Sequence, residues 1–165
     1  MPAPQTPSHQ PLVALVLFGA IAPLAIALAS QYLGGLQPCQ LCIWQRWPYV
    51  AAILLALLAF AGHGRLRVYG AALAAVAVLV SAGIAAFHVG VEQHWWPGLA
   101  SCTGNLDTGK SIADLEKQLM ATPVIPCDRP AWTLFGISMA GYNFIYATAL
   151  GIFVLMSAWR QADRR

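Results

Sequence analysis

The chain has 165 residues, of which 59% are hydrophobic and only 9% charged, with a formal net charge of +3. Soluble domains carry about 25% charged residues, so the polar groups here cannot cover a globular surface and lipid must cover part of it. Its basic residues are scattered or terminal rather than massed in a stripe, which sets nucleic acid aside as a partner.

Four apolar runs follow one another, at about 12–33, 43–61, 68–89 and 134–159. Each is roughly the 20 residues that an α-helix needs to cross a ~30 Å hydrocarbon layer. Pro23 and isolated polar residues interrupt them, which a bundle tolerates. The third run is rich in small residues (Ala71, Ala74, Ala75, Ser81, Gly83) and suits close helix packing. The predicted fold is an all-α integral membrane protein, a four-helix transmembrane bundle forming one domain over 1–165. The first run is kept as a helix rather than a cleaved signal, because residues 1–11 contain no Lys or Arg.

Orientation follows from the arginines. Arg65 and Arg67 lie between runs two and three, and Arg160, Arg164 and Arg165 follow run four. The positive-inside rule puts both sets, and with them both termini, in the cytoplasm. The loops at about 34–42 and 90–133 then face the opposite side, the periplasm of a bacterial inner membrane. Trp44, Trp47, Trp95, Trp96 and Trp132 fall near the interfaces, where amphipathic rings anchor helix ends. Within the long loop, Ser111–Met120 reads as a short helix whose Ile112, Leu115 and Leu119 share a face, suited to lying on the membrane surface.

All four cysteines fall on that outer side, in the compartment where disulfides persist. Cys39-Gln40-Leu41-Cys42 is a Cys-x-x-Cys motif, associated with lowered thiol pKa values and easy cycling through mixed disulfides. If Cys42 begins the second helix, the helix dipole favours thiolate there. A purely structural bond in so short a loop stabilises little. A Cys₄ zinc site would want a second knuckle, and Cys102 and Cys127 are too far apart to supply it; Ile43 stands where a covalent haem needs histidine. No metal is expected. A disulfide closing the loop between Cys102 and Cys127 would be worth ~3 kcal/mol as a staple. Against that structural reading, the flanking prolines and Gly104 favour an exposed, mobile segment that presents a sulfur to another protein. Arg46 lies one turn beyond Cys42. It is either a snorkelling side chain or a donor to an oxygen-bearing redox partner. His88, near the outer end of the third run, is either structural or a proton or hydrogen-bond source.

The stretch Leu36-Gln-Pro-Cys39-Gln-Leu-Cys42-Ile-Trp-Gln-Arg46 resembles the signature of the disulfide bond formation protein B family, DsbB. The resemblance extends through the hydropathy, the second cysteine pair and Trp132–Asn143. It implies that Cys102 and Cys127 form the disulfide attacked by a reduced DsbA-like thioredoxin-fold oxidase, with Cys102 making the mixed disulfide. It also implies that electrons pass to Cys39–Cys42 and on to ubiquinone or menaquinone, with Cys42 the charge-transfer thiolate and Arg46 and His88 beside the quinone. Energetics favour such a sink: transfer from a DsbA-like pair near −120 mV to a thioredoxin-like pair near −270 mV is uphill by about 7 kcal/mol. The competing readings are a tetraspan protein braced by disulfides, a metal handler using the cysteines with His88 and His94, and a relative dedicated to another thiol substrate.

Overall fold

The computed structural model describes residues 10–99, 102, 111 and 125–163. The stretch Ser111–Met120, read above as a surface helix, lies outside the described residues apart from Ser111. Four helices are long and apolar enough to cross a membrane: α1 (Gln10–Tyr32), α2 (Gln40–Ala61), α3 (Arg65–Glu92) and α4 (Met139–Asp163). Their outward faces carry Phe18, Ile26, Leu58 and Trp159, each more than 60% exposed. An apolar surface of that extent is stable only against lipid. The chain is a multi-pass membrane protein, a four-helix bundle.

Inside the bundle, α3 is the hub. Its buried face runs Ala71, Ala74, Ala75, Val78, Ala82, Ala85, and it packs against both α2 and α4. Small residues let the backbones approach: a methyl group on Gly70 would stand 2.4 Å from the Ala59 Cβ, and one on Gly151 2.5 Å from Leu79. Helix α1 meets α4 at Gly19. Pro23 has no N–H to give to the carbonyl four residues back, which is that of Gly19. The Tyr146 hydroxyl of α4 donates to this freed carbonyl at 2.9 Å. The kink-prone site in α1 is thereby satisfied by a neighbouring helix.

The helices start near the beginnings of the hydropathy runs, and two of the differences bear on the site. The last helix begins at Met139 rather than near 134, because a two-residue hairpin intervenes: β1 (Thr133–Leu134) pairs antiparallel with β2 (Ile137–Ser138). Phe135 (φ 50°) and Gly136 (φ 78°) form its turn, and positive φ at both central residues is the type I′ geometry that matches strand twist. Helix α2 begins at Gln40, with Cys39 as its N-cap, rather than at 43. The chain direction of the four helices places Cys39, Cys42, Cys102 and Cys127 at one end of the bundle and Arg65, Arg67 and Arg160 at the other.

Tyr146→Phe removes the only hydroxyl donating to the Gly19 carbonyl among the described residues. Hydrogen bonds between membrane helices are worth about 1 kcal/mol, so a loss of roughly that size in detergent unfolding is expected, and an unchanged midpoint would disprove this role.

Candidate functional site

The site forms where the start of α2 meets the end of α3. As N-cap, Cys39 turns its sulfur to the first turn and accepts the Cys42 backbone N–H at 3.3 Å. The positive end of the α2 dipole therefore lies at Cys39, one turn before the position the sequence favoured. Cys39 and Cys42 are free thiols whose sulfurs sit 3.0 Å apart and share a hydrogen bond. The His88 Nε2 is 3.6 Å from the Cys39 sulfur. These contacts hold the Cys39 thiol far below the usual range, at about 4: the hydrogen bond with Cys42 is the largest cause, burial opposes it, and the His88 ring adds to it.

Cys102 and Cys127 are disulfide-bonded, with Cα atoms 5.2 Å apart. That bond takes two sulfurs away from any four-cysteine metal site. The sequence suggested that these cysteines are exposed; instead both are buried. They share one apolar cluster with Cys39, Leu41 and Val91, and Leu99 and Ile125 pack against it. The apolar neighbours hold the Cys127 segment in this cluster. The two cysteine pairs are thus packed together.

Arg46 points to α1: its Nη1 donates to the Gln31 side chain at 2.5 Å and its Nη2 to the Ala27 carbonyl at 3.4 Å. Its Nε is buried without a partner among the described residues. A cavity of about 360 Å³, walled by α1, α2 and α4, is bordered by both Cys42 and Arg46, with Pro23, Ile26 and Tyr146 among its other sides. That size falls within the range of small-molecule sites, which are typically apolar with a few placed polar groups. His88 does not line it. It faces a second cavity of about 240 Å³ with Cys39, Cys42, Glu92 and Arg129. The sulfur pair stands between the two.

Residues that the sequence did not single out complete the site. Gln45 bonds His88, Asn143 of α4 bonds Gln45, and Tyr49 bonds Asn143. Glu92 accepts a short hydrogen bond from Ser138 and lies 3.8 Å from His88. Each is a polar side chain in or beside an apolar span, and such residues mark functional sites by default.

A membrane bundle that packs a Cys-x-x-Cys pair at a helix N-terminus against a second disulfide defines a membrane disulfide oxidoreductase. Comparison with known proteins agrees. Residues 9–157 match the family model for disulfide bond formation protein DsbB. Relatives named disulfide bond formation protein B include those of Albidiferax ferrireducens (32% identical, covering 96% of this chain and 92% of that one) and Polaromonas naphthalenivorans (31%, 93% of each). That of Herminiimonas arsenicoxydans is 28% identical over 93% of this chain and 98% of its own. No solved structure matches. The chain belongs to the DsbB family.

A reduced protein with Cys102 and Cys127 replaced by Ser is expected to show the ultraviolet absorbance of one thiolate at neutral pH, lost as the pH falls through about 4. Because this ionisation lies below that of an ordinary thiol near 9.0, the stability it lends the reduced fold is full above pH 9, declines on acidification and vanishes below about 4. A thiolate signal that appears only near pH 9 would contradict the site described.

Proposed function

We propose that this protein is a thiol oxidase of the bacterial inner membrane. It reoxidises a periplasmic DsbA-like thioredoxin-fold oxidase and passes two electrons to a membrane quinone, ubiquinone or menaquinone. The observation that carries this reading is the position of Cys39–Cys42: the Cys102–Cys127 disulfide packs on one side, and an apolar cavity bordered by Cys42 and Arg46 lies on the other. The arginines at the end opposite the cysteines favour a cytoplasmic location for that end.

The donor set fits a quinone. The cavity is apolar enough for a ring, and the unpartnered Arg46 Nε offers a charged hydrogen bond to a carbonyl oxygen. When bound, a quinone supplies a two-electron, two-proton sink. On the protein side, the partner's thiolate attacks Cys102, and the Cys127 sulfur leaves. With Cys39 and Cys42 in their oxidised, disulfide-bonded state, Cys127, packed with Cys39, then attacks the Cys39 sulfur, and Cys42 departs as a thiolate beside the cavity. Arg46 stabilises that thiolate by its charge. Attack on Cys102 requires its segment to leave the apolar cluster, so partner binding and opening are coupled. His88 acts on the sulfur pair from the side away from the quinone.

The test is quinone reduction by purified protein with a reduced DsbA-like partner and a soluble quinone analogue, followed by quinone absorbance. Cys42→Ser and Cys102→Ser are expected to abolish it. A hydrogen bond to a charged group is worth about 1.5–3 kcal/mol, so Arg46→Ala is expected to raise the KM for quinone about 10- to 100-fold. If the wild type reduces neither ubiquinone nor menaquinone analogues while its thiols stay locked as disulfides, the protein is a braced tetraspan and not an oxidase.

A further inference from the structure

The polar chain running through the bundle has a fixed direction. The backbone carbonyl of Gln45 can only accept, and the Ser81 hydroxyl donates to it at 2.9 Å. With its proton committed, Ser81 presents only lone pairs to the Asn143 side chain 3.3 Å away, so the atom of Asn143 facing it is the amide nitrogen. That same nitrogen lies 2.7 Å from the Gln45 side chain, whose facing atom must be its oxygen. The other end of the Asn143 amide accepts from the Tyr49 hydroxyl at 2.6 Å, which agrees. Gln45 is left with its NH₂ directed at two atoms. One is the Leu41 carbonyl at 3.2 Å, which again can only accept. The other is His88 Nδ1 at 2.9 Å.

A ring nitrogen that receives an N–H carries no proton of its own, so the proton of the neutral imidazole resides on the other nitrogen. We propose that Gln45 is a positioning residue that holds His88 as the neutral Nε2–H tautomer, so that the ring serves Cys39 as a hydrogen-bond donor to its thiolate and not as a base. Nε2 lies 3.6 Å from the Cys39 sulfur, within reach for a bond to sulfur. No bond to hydrogen breaks in this role. A thiolate held in this way is a better leaving group, and Cys39 is the sulfur that must leave when the bond to Cys127 is resolved. That use in turnover rests on the thiol-oxidase reading; the tautomer does not.

The groups around the ring bear on its protonation. Cys39 and Cys42 approach from the start of α2, with Arg46 one turn beyond. Glu92 stands one turn along α3, 3.8 Å from Nε2, and Arg129 lines the same cavity. From β2 the Ser138 hydroxyl occupies Glu92, and α4 brings only Met139 and Ala140 to that cavity. Glu92 and the Cys39 thiolate both favour a second proton on the ring, and Glu92's position at Nε2 leaves Nδ1 facing the Gln45 amide. An imidazolium would set two donors against each other there, so the Gln45 contact opposes that second proton.

Histidine-selective ¹⁵N NMR of the reduced, detergent-solubilised protein tests the assignment, with His88 identified by the signal lost in His88→Gln. The expected result at neutral pH is a bare Nδ1 and a protonated Nε2. In Gln45→Glu, which keeps the shape but has no N–H, a proton is expected on Nδ1. In Gln45→Met the thiolate absorbance of Cys39 is expected to titrate at higher pH than in the wild type. A protonated Nδ1 in the wild-type protein overturns the proposal, as does a Cys39 titration that Gln45→Met leaves unmoved. A bare Nδ1 in a protein that oxidises no dithiol supports the tautomer and removes the oxidase function instead.

Discussion

A side-chain amide inside a bilayer must find all its partners within the protein, because an unsatisfied polar group there costs several kcal/mol. Gln45 meets this constraint in a way that organises its surroundings. Its NH₂ reaches its own helix at Leu41 and α3 at His88, and its oxygen receives Asn143 from α4. Three helices are thus tied at one level, one turn below Cys42. The ring of His88 is aimed by this tie, and through it the Cys39 sulfur. Loss of any member leaves another buried group without a partner, so the network holds position and register together.

The same residue explains why part of the site was legible in the sequence and part was not. The spans, the outer placement of the cysteines and the position of Arg46 one turn after Cys42 follow from hydropathy, charge bias and helical periodicity, which act locally along the chain. Gln45, Asn143, Ser81, Glu92 and Ser138 are lone polar residues, and their meaning depends on contacts 36 to 98 positions apart. Their signal was a polar side chain in or beside an apolar run, a cue that was visible but has no partner attached. The hairpin before α4 was missed for another reason. Leu134-Phe-Gly-Ile is as apolar as a helix, and only the positive φ of Phe135 and Gly136 separates it from one. Cys39 as N-cap was hidden in the same way, since Pro38 precedes it and the apolar run begins only at Ile43.

The two cavities divide the chemistry of the sulfur pair. Cys42 borders the larger one, enclosed by α1, α2 and α4. Cys39 is packed in the cluster with Cys102 and Cys127 and faces the smaller, more polar cavity with His88 and Glu92. Cys42 lines both cavities, whereas Cys39 borders only the smaller one. An exchange reaction needs a stabilised leaving thiolate and a route to another disulfide, both of which lie on the Cys39 side. The proposed electron delivery to an apolar acceptor needs a sulfur at the apolar cavity and a fixed cation, and Cys42 and Arg46 both line that cavity.

This asymmetry also bears on the energetic difficulty of the proposed step, in which electrons are drawn from a strongly oxidising partner. A thioredoxin-like pair as acceptor would leave the step uphill by about 7 kcal/mol. The hydrogen bond with Cys42 and the His88 ring hold the Cys39 thiol well below the usual range, which stabilises the reduced pair at neutral pH. Stabilising the reduced form makes the pair more oxidising and narrows the gap. In the proposed cycle the rest falls to the acceptor beyond Cys42. In that cycle removal of electrons, rather than their arrival, would be the driving step, and an acceptor within reach of Cys42 would be as necessary to turnover as the cysteines themselves.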